Sequence, residues 1–259
     1  MAKTTTVTKS SWASVKEILA EFLGTFGLAF AVLASSKAAA GAALVGGYNS
    51  LDKVLQTSQQ VGQDPASGAI VTSMTYIVAT GAVAAFTLAM FVLTIGKVSG
   101  CNINPAVTFG LWSSGNMKTK KALSYMLVQF AGAFGAFALL SVFMAGQNFS
   151  GFTASGDWKV MVAEALGMMI FTFGIANVVI NKKEGVEAAL TIGGSLFLGI
   201  VFAGVAAGAG VLNPAVAVSI KSLTWSHVVG PMVGAVVGTF VAFFLNGKAK
   251  EFTLFGLRK

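Results

Sequence analysis

Charge is scarce in this chain. Only 10% of its 259 residues are Asp, Glu, Lys or Arg, against about 25% in a typical water-soluble domain. So few charges cannot cover a surface that faces water on every side. An ordinary soluble globule is excluded, and an integral membrane protein in a lipid bilayer is left. The sole cysteine, Cys101, excludes an internal disulfide, and the sole histidine, His227, leaves no imidazole cluster for a metal. Neither a metal nor a cofactor is expected. The net charge is +8, but the lysines are scattered along connections instead of forming a patch, which argues against nucleic acid as a partner. Arginine occurs once, as Arg258 near the end. Proline occurs four times, and two of the four fall in one repeated tetrapeptide.

Apolar length is what the chain has in abundance. Hydrophobic residues make up 55% of it, and the mean hydropathy is +0.79. A helix needs roughly 20 apolar residues to cross about 30 Å of hydrocarbon. Six segments qualify: Ile18–Ser35, Ala69–Ile95, Ala122–Ala145, Val160–Ile180, Ala188–Ala207 and Val228–Leu245. Two further apolar stretches, Asn104 to Trp112 and Asn213 to Ile220, open on the same letters, Asn-Pro-Ala-Val. At about 1.5 Å per residue, each reaches only half-way across. Such segments are tolerated at membrane depth where they are buried in protein or line a wet cavity. A pair of them in matching positions of two halves points to a pore or transport site.

The halves do match. Ala20–Phe30 (AEFLGTFGLAF) is similar to Ala163–Phe173 (AEALGMMIFTF). Each half holds three spans, with a half-helix between its second and third. Three is odd, so the second half enters the membrane from the opposite face, and the two half-helix N-termini meet near the midplane. The expected layout is a single all-α channel domain over residues 1–259. It comprises a cytoplasmic tail (1–17), a first repeat (18–145), a second repeat (160–245) and a cytoplasmic C-terminal tail (246–259). The opening MAKTTTVTKSSWASVKEI is polar for too long to resemble a cleaved signal peptide. With both termini inside, only Lys37, Lys53, Lys159 and Lys221 fall on the outer side, in accord with the positive-inside rule. Gly132, Gly135, Gly230, Gly234 and Gly238 read as helix-packing positions.

Asparagine caps helix N-termini, and proline suits the first helical position. Asn104, Pro105 and Ala106, and again Asn213, Pro214 and Ala215, therefore read as two half-helix starts. They sit within SGCNINPAVT (Ser99–Thr108) and VLNPAV (Val211–Val216). With AEFLGTF (Ala20–Phe26), YMLVQFAGA (Tyr125–Ala133), Glu164 followed by Gly167, and WSHVVGPMVG (Trp225–Gly234), the chain resembles the aquaporin, or major intrinsic protein, family from about Ile18 to Leu245. The resemblance implies six transmembrane helices plus two re-entrant half-helices in an inverted repeat. It also implies a homotetramer with one pore per subunit, acting as a passive channel and not as an enzyme.

The physics of such a pore follows from its parts. Each helix N-terminus carries about half a positive charge, so two facing N-termini repel cations and protonated water chains. Asn104 and Asn213 are placed to offer amide N–H groups to a passing oxygen; a water bonded to both turns its hydrogens outward and breaks the proton wire. Backbone carbonyls of Gly100, Cys101, Asn102 and Ile103 on one side, and of Gly210, Val211 and Leu212 on the other, supply an acceptor ladder. Glu21 and Glu164 are costly inside spans. They read as structural carboxylates that accept backbone N–H groups of the re-entrant loops, the alternative being a proton relay.

In most members of the family, the second motif continues with an arginine that lines the outer constriction. Here that position is Val216. Matching the other constriction positions without gaps gives Ala84, Val201 and Gly210, a wide apolar ring. Such a ring is expected to pass small neutral solutes larger than water, of the glycerol, urea or ammonia type, with cation exclusion left to the half-helix dipoles. Ala217 stands where glycerol-conducting members usually carry aspartate, and Asn102 where histidine is common. A narrow apolar ring excludes water by dewetting, so a poorly conducting structural subunit stays open as the alternative. His227 reads as a surface or packing residue, the alternative being a pH sensor. Cys101 is expected beside the cytoplasmic entrance. The connection 36–67 reads either as carrying a short amphipathic helix over the outer mouth or as a plain loop. Asn148-Phe149-Ser150 fits a glycosylation acceptor, and the basic tail after Gly247 is expected on anionic headgroups.

Overall fold

A computed structural model describes residues 12–42, 65–143, 156–207 and 210–256. Eight α-helices follow one another in these residues: α1 Val15–Ala42, α2 Pro65–Ser99, α3 Pro105–Ser113, α4 Thr119–Phe143, α5 Trp158–Ile180, α6 Gly185–Ala207, α7 Pro214–Ser219 and α8 Ser226–Leu245. Two 3-10 turns, Ala249–Glu251 and Leu254–Gly256, come after α8. The described residues contain no strand. All helices except the short α3 and α7 are long and apolar enough to cross a bilayer. The protein is an integral, multi-pass membrane protein with six spans and two half-helices.

The first two helices start or end beyond the expected limits, for local reasons. Ser14 and Glu17 form a capping box that starts α1 at Val15: the Ser14 N–H donates to Glu17 Oε2 at 2.7 Å and the Glu17 N–H to Ser14 Oγ at 3.3 Å. Glu17 also pairs with Lys121 in the first turn of α4 at 2.5 Å. α2 runs on to Ser99 and stops where Gly100 takes a φ of 92°, a conformation glycine adopts without penalty. The central part of the 36–67 connection and the Asn148 acceptor lie outside the described residues.

Packing repeats across the halves. α1 lies on α4 and α2, α5 lies on α8 and α6, and α2 packs on α6 to join the two. Each half-helix crosses over: α3 packs on α8 of the second half, and α7 on α4 of the first. Missing side chains permit the closest approaches. A Cβ on Gly132 would meet the Phe22 carbonyl oxygen at 2.5 Å, and one on Gly230 the Met161 carbonyl oxygen at 2.5 Å. Gly234 and Gly238 press closer still on the carbonyls of Ala165 and Met169. Gly135 differs, because its Cβ would make ordinary contact with the Phe26 ring at 3.4 Å.

The C-terminal tail also packs on the protein itself. Phe252 packs edge-on against Phe240 and Phe243 of α8. Phe255 meets Phe109 and Trp112 of α3 at ring distances of 5.9 and 4.9 Å. Aromatic contact draws the tail under the half-helix as far as Gly256.

Candidate solute conduit between the half-helices

Each re-entrant loop is tied to a buried carboxylate. Glu21 accepts from the backbone N–H of Asn102 at 2.9 Å and of Ile103 at 2.8 Å, from Ser99 Oγ at 2.7 Å and from Gln129 Nε2 at 2.7 Å. Glu164 accepts from the backbone N–H of Val211 and of Leu212, both at 2.7 Å. Neither carboxylate is exposed. These bonds offset backbone strain, since Cys101, Ile103 and Leu212 have φ of 52°, 39° and 53°. For a β-branched residue such as Ile103 that conformation is a genuine outlier, of the kind that persists only where the surroundings over-determine it.

The strained residue in each loop sets up the cap that follows. Asn104 and Asn213 are extended, with φ of −156° and −145°. Asn104 Oδ1 accepts from the Ala106 N–H at 2.8 Å, and Asn213 Oδ1 from Ala215 and Val216 at 3.0 and 3.3 Å. Pro105 and Pro214 take the first helical position. Each cap then reaches across: Asn104 Nδ2 donates to the Leu212 carbonyl at 2.8 Å, and Asn213 Nδ2 to the Ile103 carbonyl at 3.1 Å. An asparagine amide has two hydrogens, so one of each pair is committed to the opposite loop. This refines the expected acceptor ladder, because the Ile103 and Leu212 carbonyls already hold the facing asparagines.

A cavity of about 280 Å³ opens at this junction. Its wall includes Asn102, Ile103, Asn104, Gly210, Val211, Asn213, Ala84 and Val216. It reaches past Val32, Ser36, Tyr76 and Thr80 to Val160, Ile220, Ser222 and His227. The ungapped match to Val201 needs correction: Ile200 lines the cavity and Val201 does not. Ile200 lies one helical turn after Leu196, which also faces the cavity, whereas Val201 is rotated about 100° away and packs on the core. Gly100, Cys101 and Leu212 line none of it either. Cys101 is buried in the core cluster, and the Leu212 side chain fills the slot between Gly167 and Gly199.

Polar members of the wall include residues to which the sequence assigned no lining role. His227 is only 1% exposed, which fits the packing reading and not the surface one, and it is also part of the cavity wall. Ser222 Oγ is a buried hydroxyl oxygen without a hydrogen bond to protein, Thr80 shares its hydroxyl with the Tyr76 phenol, and both residues line the cavity. A lone hydroxyl in an apolar helix gives no sequence signal; only the shared wall brings these together. Buried polar groups of native proteins are nearly always satisfied by protein or water, so Ser222 marks a wet place in the wall. Outside the cavity, Gln129 joins Glu21 to Thr108, whose Oγ1 accepts from Gln129 Nε2 at 2.9 Å and from Asn102 Nδ2 at 3.2 Å. No group of His, Cys, Asp and Glu among the described residues is arranged to hold a metal.

Comparison with known proteins agrees with this architecture. The profile of the family described as "Major intrinsic protein" matches residues 8–242. The chain is 31% identical over 177 residues to aquaporin NIP1-1 of Zea mays, covering 63% of this chain and 62% of that protein, so less than two thirds of the relative's length is spanned. It is 29% identical over 191 residues to aquaporin AqpM of Methanothermobacter marburgensis, covering 66% of this chain and 78% of that protein. Aquaporin NIP1-4 of Oryza sativa is 29% identical over 239 residues, covering 89% of this chain and 77% of that protein. With a family match across most of its length, and two capped half-helices locked tip to tip between six spans, the chain belongs to the major intrinsic protein family.

Proposed function

We propose that this protein is a passive channel for water and small uncharged solutes, not an enzyme, and that the cavity is the outer half of its conduit. The observation that carries the reading is the meeting of two half-helix N-termini at the wall of a cavity that Asn104 and Asn213 both line. At about 280 Å³ the cavity has room for several waters. Both termini are cytoplasmic in this reading, and the working unit is a homotetramer with one conduit per subunit.

A passing oxygen exchanges hydration for the second amide hydrogens of Asn104 and Asn213. The paired N-terminal dipoles oppose any cation at the same depth. The constriction is Ala84, Ile200, Gly210 and Val216, with no fixed charge. Gly210 lets the loop lie directly on α6, because a Cβ there would clash with the Ile200 carbonyl. The unpartnered Ser222 hydroxyl in the cavity wall helps to keep it wetted, which favours conduction over a dewetted structural subunit.

Stopped-flow light scattering of proteoliposomes tests the reading, with water, glycerol, urea and ammonia offered in turn. The expected result is uptake of glycerol or urea well above that of empty liposomes. The Val216→Arg variant, which returns a long cationic side chain to the wall, should lower solute flux at least tenfold while affecting water less. Water flux without any uptake of larger solutes by the native protein rules out the wide constriction, and absence of all flux rules out the channel.

A further inference from the structure

The two loop-holding carboxylates are not equally occupied. Glu21 accepts four hydrogen bonds, whereas Glu164 accepts two. A carboxylate offers about four lone-pair sites. The repeat explains one of the two missing donors. Gly132 packs on the Phe22 carbonyl as Gly234 packs on that of Ala165, so Gln129, a Glu21 donor, corresponds to Pro231. By the same register Tyr125, which donates to the Ser99 carbonyl at 2.8 Å, corresponds to His227.

His227 is poised beside the vacant side of Glu164. Its Nδ1 lies 2.8 Å from Thr224 Oγ1, and its Nε2 lies 3.9 Å from Glu164 Oε1. The longer distance exceeds a hydrogen bond. The ring is buried, yet it forms part of the cavity wall. Among the lining residues it is the only basic one, and none is acidic apart from the Tyr76 phenol across the cavity. Val216 supplies no fixed charge. The other ionisable groups nearby are otherwise engaged. Asp157 of α5 caps its own helix and gives its carbonyl to Ser226 Oγ, Lys159 is exposed, and Lys221 lies 4.9 Å over the Phe137 ring of α4.

We propose that His227 is the charge-selectivity residue of the outer cavity, taking up a proton from the outer solution and engaging Glu164 as it does so. The inference rests on the channel reading above. The proton goes to whichever ring nitrogen lacks one, so both nitrogens then donate, Nδ1 to Thr224 Oγ1 and Nε2 to Glu164 Oε1. Imidazole is the side chain suited to change charge in the physiological range. Each uptake adds one positive charge to the wall, whatever the state of the carboxylate. Acid outside therefore disfavours cations in the vestibule and favours anions, while neutral solutes feel no net force.

The potential is readable from a reporter thiol. In full-length protein with Cys101→Ser and Val216→Cys, small anionic and cationic methanethiosulfonates react with the new thiol. Their rate ratio cancels the thiol's own pH dependence. The anionic-to-cationic ratio should rise roughly threefold to tenfold between about pH 8 and pH 5.5, and stay flat when His227→Gln is added. Ala84→Cys on the facing wall serves as a second reporter and should give the same trend. A ratio that is flat with His227 present, or that rises equally in the His227→Gln protein, overturns the assignment. A thiol at neither position reacting with either reagent removes the open conduit, and the channel reading with it.

Discussion

Glu164 acts first through geometry, because two backbone N–H groups of a strained loop have no other partner than its carboxylate. Removing one side of a buried hydrogen bond leaves the other unsatisfied, at about 1–3 kcal/mol per group and more where a charge was involved. Glu164→Ala should therefore cost about 2–6 kcal/mol and melt the detergent-solubilised protein at a lower temperature. Glu21→Ala should cost more, since Ser99, Gln129, Asn102 and Ile103 all donate to it. Thermal unfolding followed by tryptophan fluorescence measures both; a proton relay would instead lose proton flux with stability intact. These carboxylates were legible in the sequence because an ionisable group within an apolar run demands a reason. Ile200 was not, since helical phase cannot be carried by counting through a loop whose path is unknown. His227 was hidden for another reason: a single histidine at a helix start looks the same whether it faces lipid, core or cavity.

At the scale of the helices, the repeated Asn-Pro-Ala made α3 and α7 readable, and the apolar runs made the six spans readable to within a few residues at most ends. Periodicity does not reveal how closely two helices approach. α8 can lie on α5 only because Gly230, Gly234 and Gly238 turn bare backbone towards the carbonyls of Met161, Ala165 and Met169. A methyl group at Gly234 has no free volume, and overpacking costs about 1–3 kcal/mol or more where backbone must move. Gly194 of α6 is the contrast, for a Cβ there meets nothing within 4 Å. Gly194→Ala is then expected to be neutral or stabilising by up to about 1 kcal/mol through helix propensity, whereas Gly234→Ala destabilises. Parallel thermal melts of the two variants check the sign of each. A Gly234→Ala protein as stable as the parent would mean that α5 and α8 are held apart by something other than this contact.

Across the whole molecule the two halves are interlocked, which neither half's sequence discloses. α3 belongs to the first half but packs on α8, and α7 belongs to the second but packs on α4. The capping asparagines repeat the exchange, each donating to the carbonyl that precedes the other's motif. The tail adds a third tie, with Phe255 against Phe109 and Trp112 and Phe252 against α8. An isolated first half would leave the buried polar Asn104 amide and the apolar flank of α3 without partners. An isolated second half would do the same to Asn213 and α7. Unsatisfied polar groups in lipid cost several kcal/mol each, so neither half should hold its half-helix inserted alone. Cutting the chain between residues 147 and 148 tests this directly. Residues 1–147 and 148–259 produced separately are expected to be protease-sensitive, with α3 and α7 cleaved. Produced together, they should copurify and recover water flux in liposomes, because the ties that cross between them are non-covalent. If the first piece alone protects α3 from protease as well as the full chain does, the half-helix is stabilised within its own repeat, and the exchange between halves is not what holds the conduit.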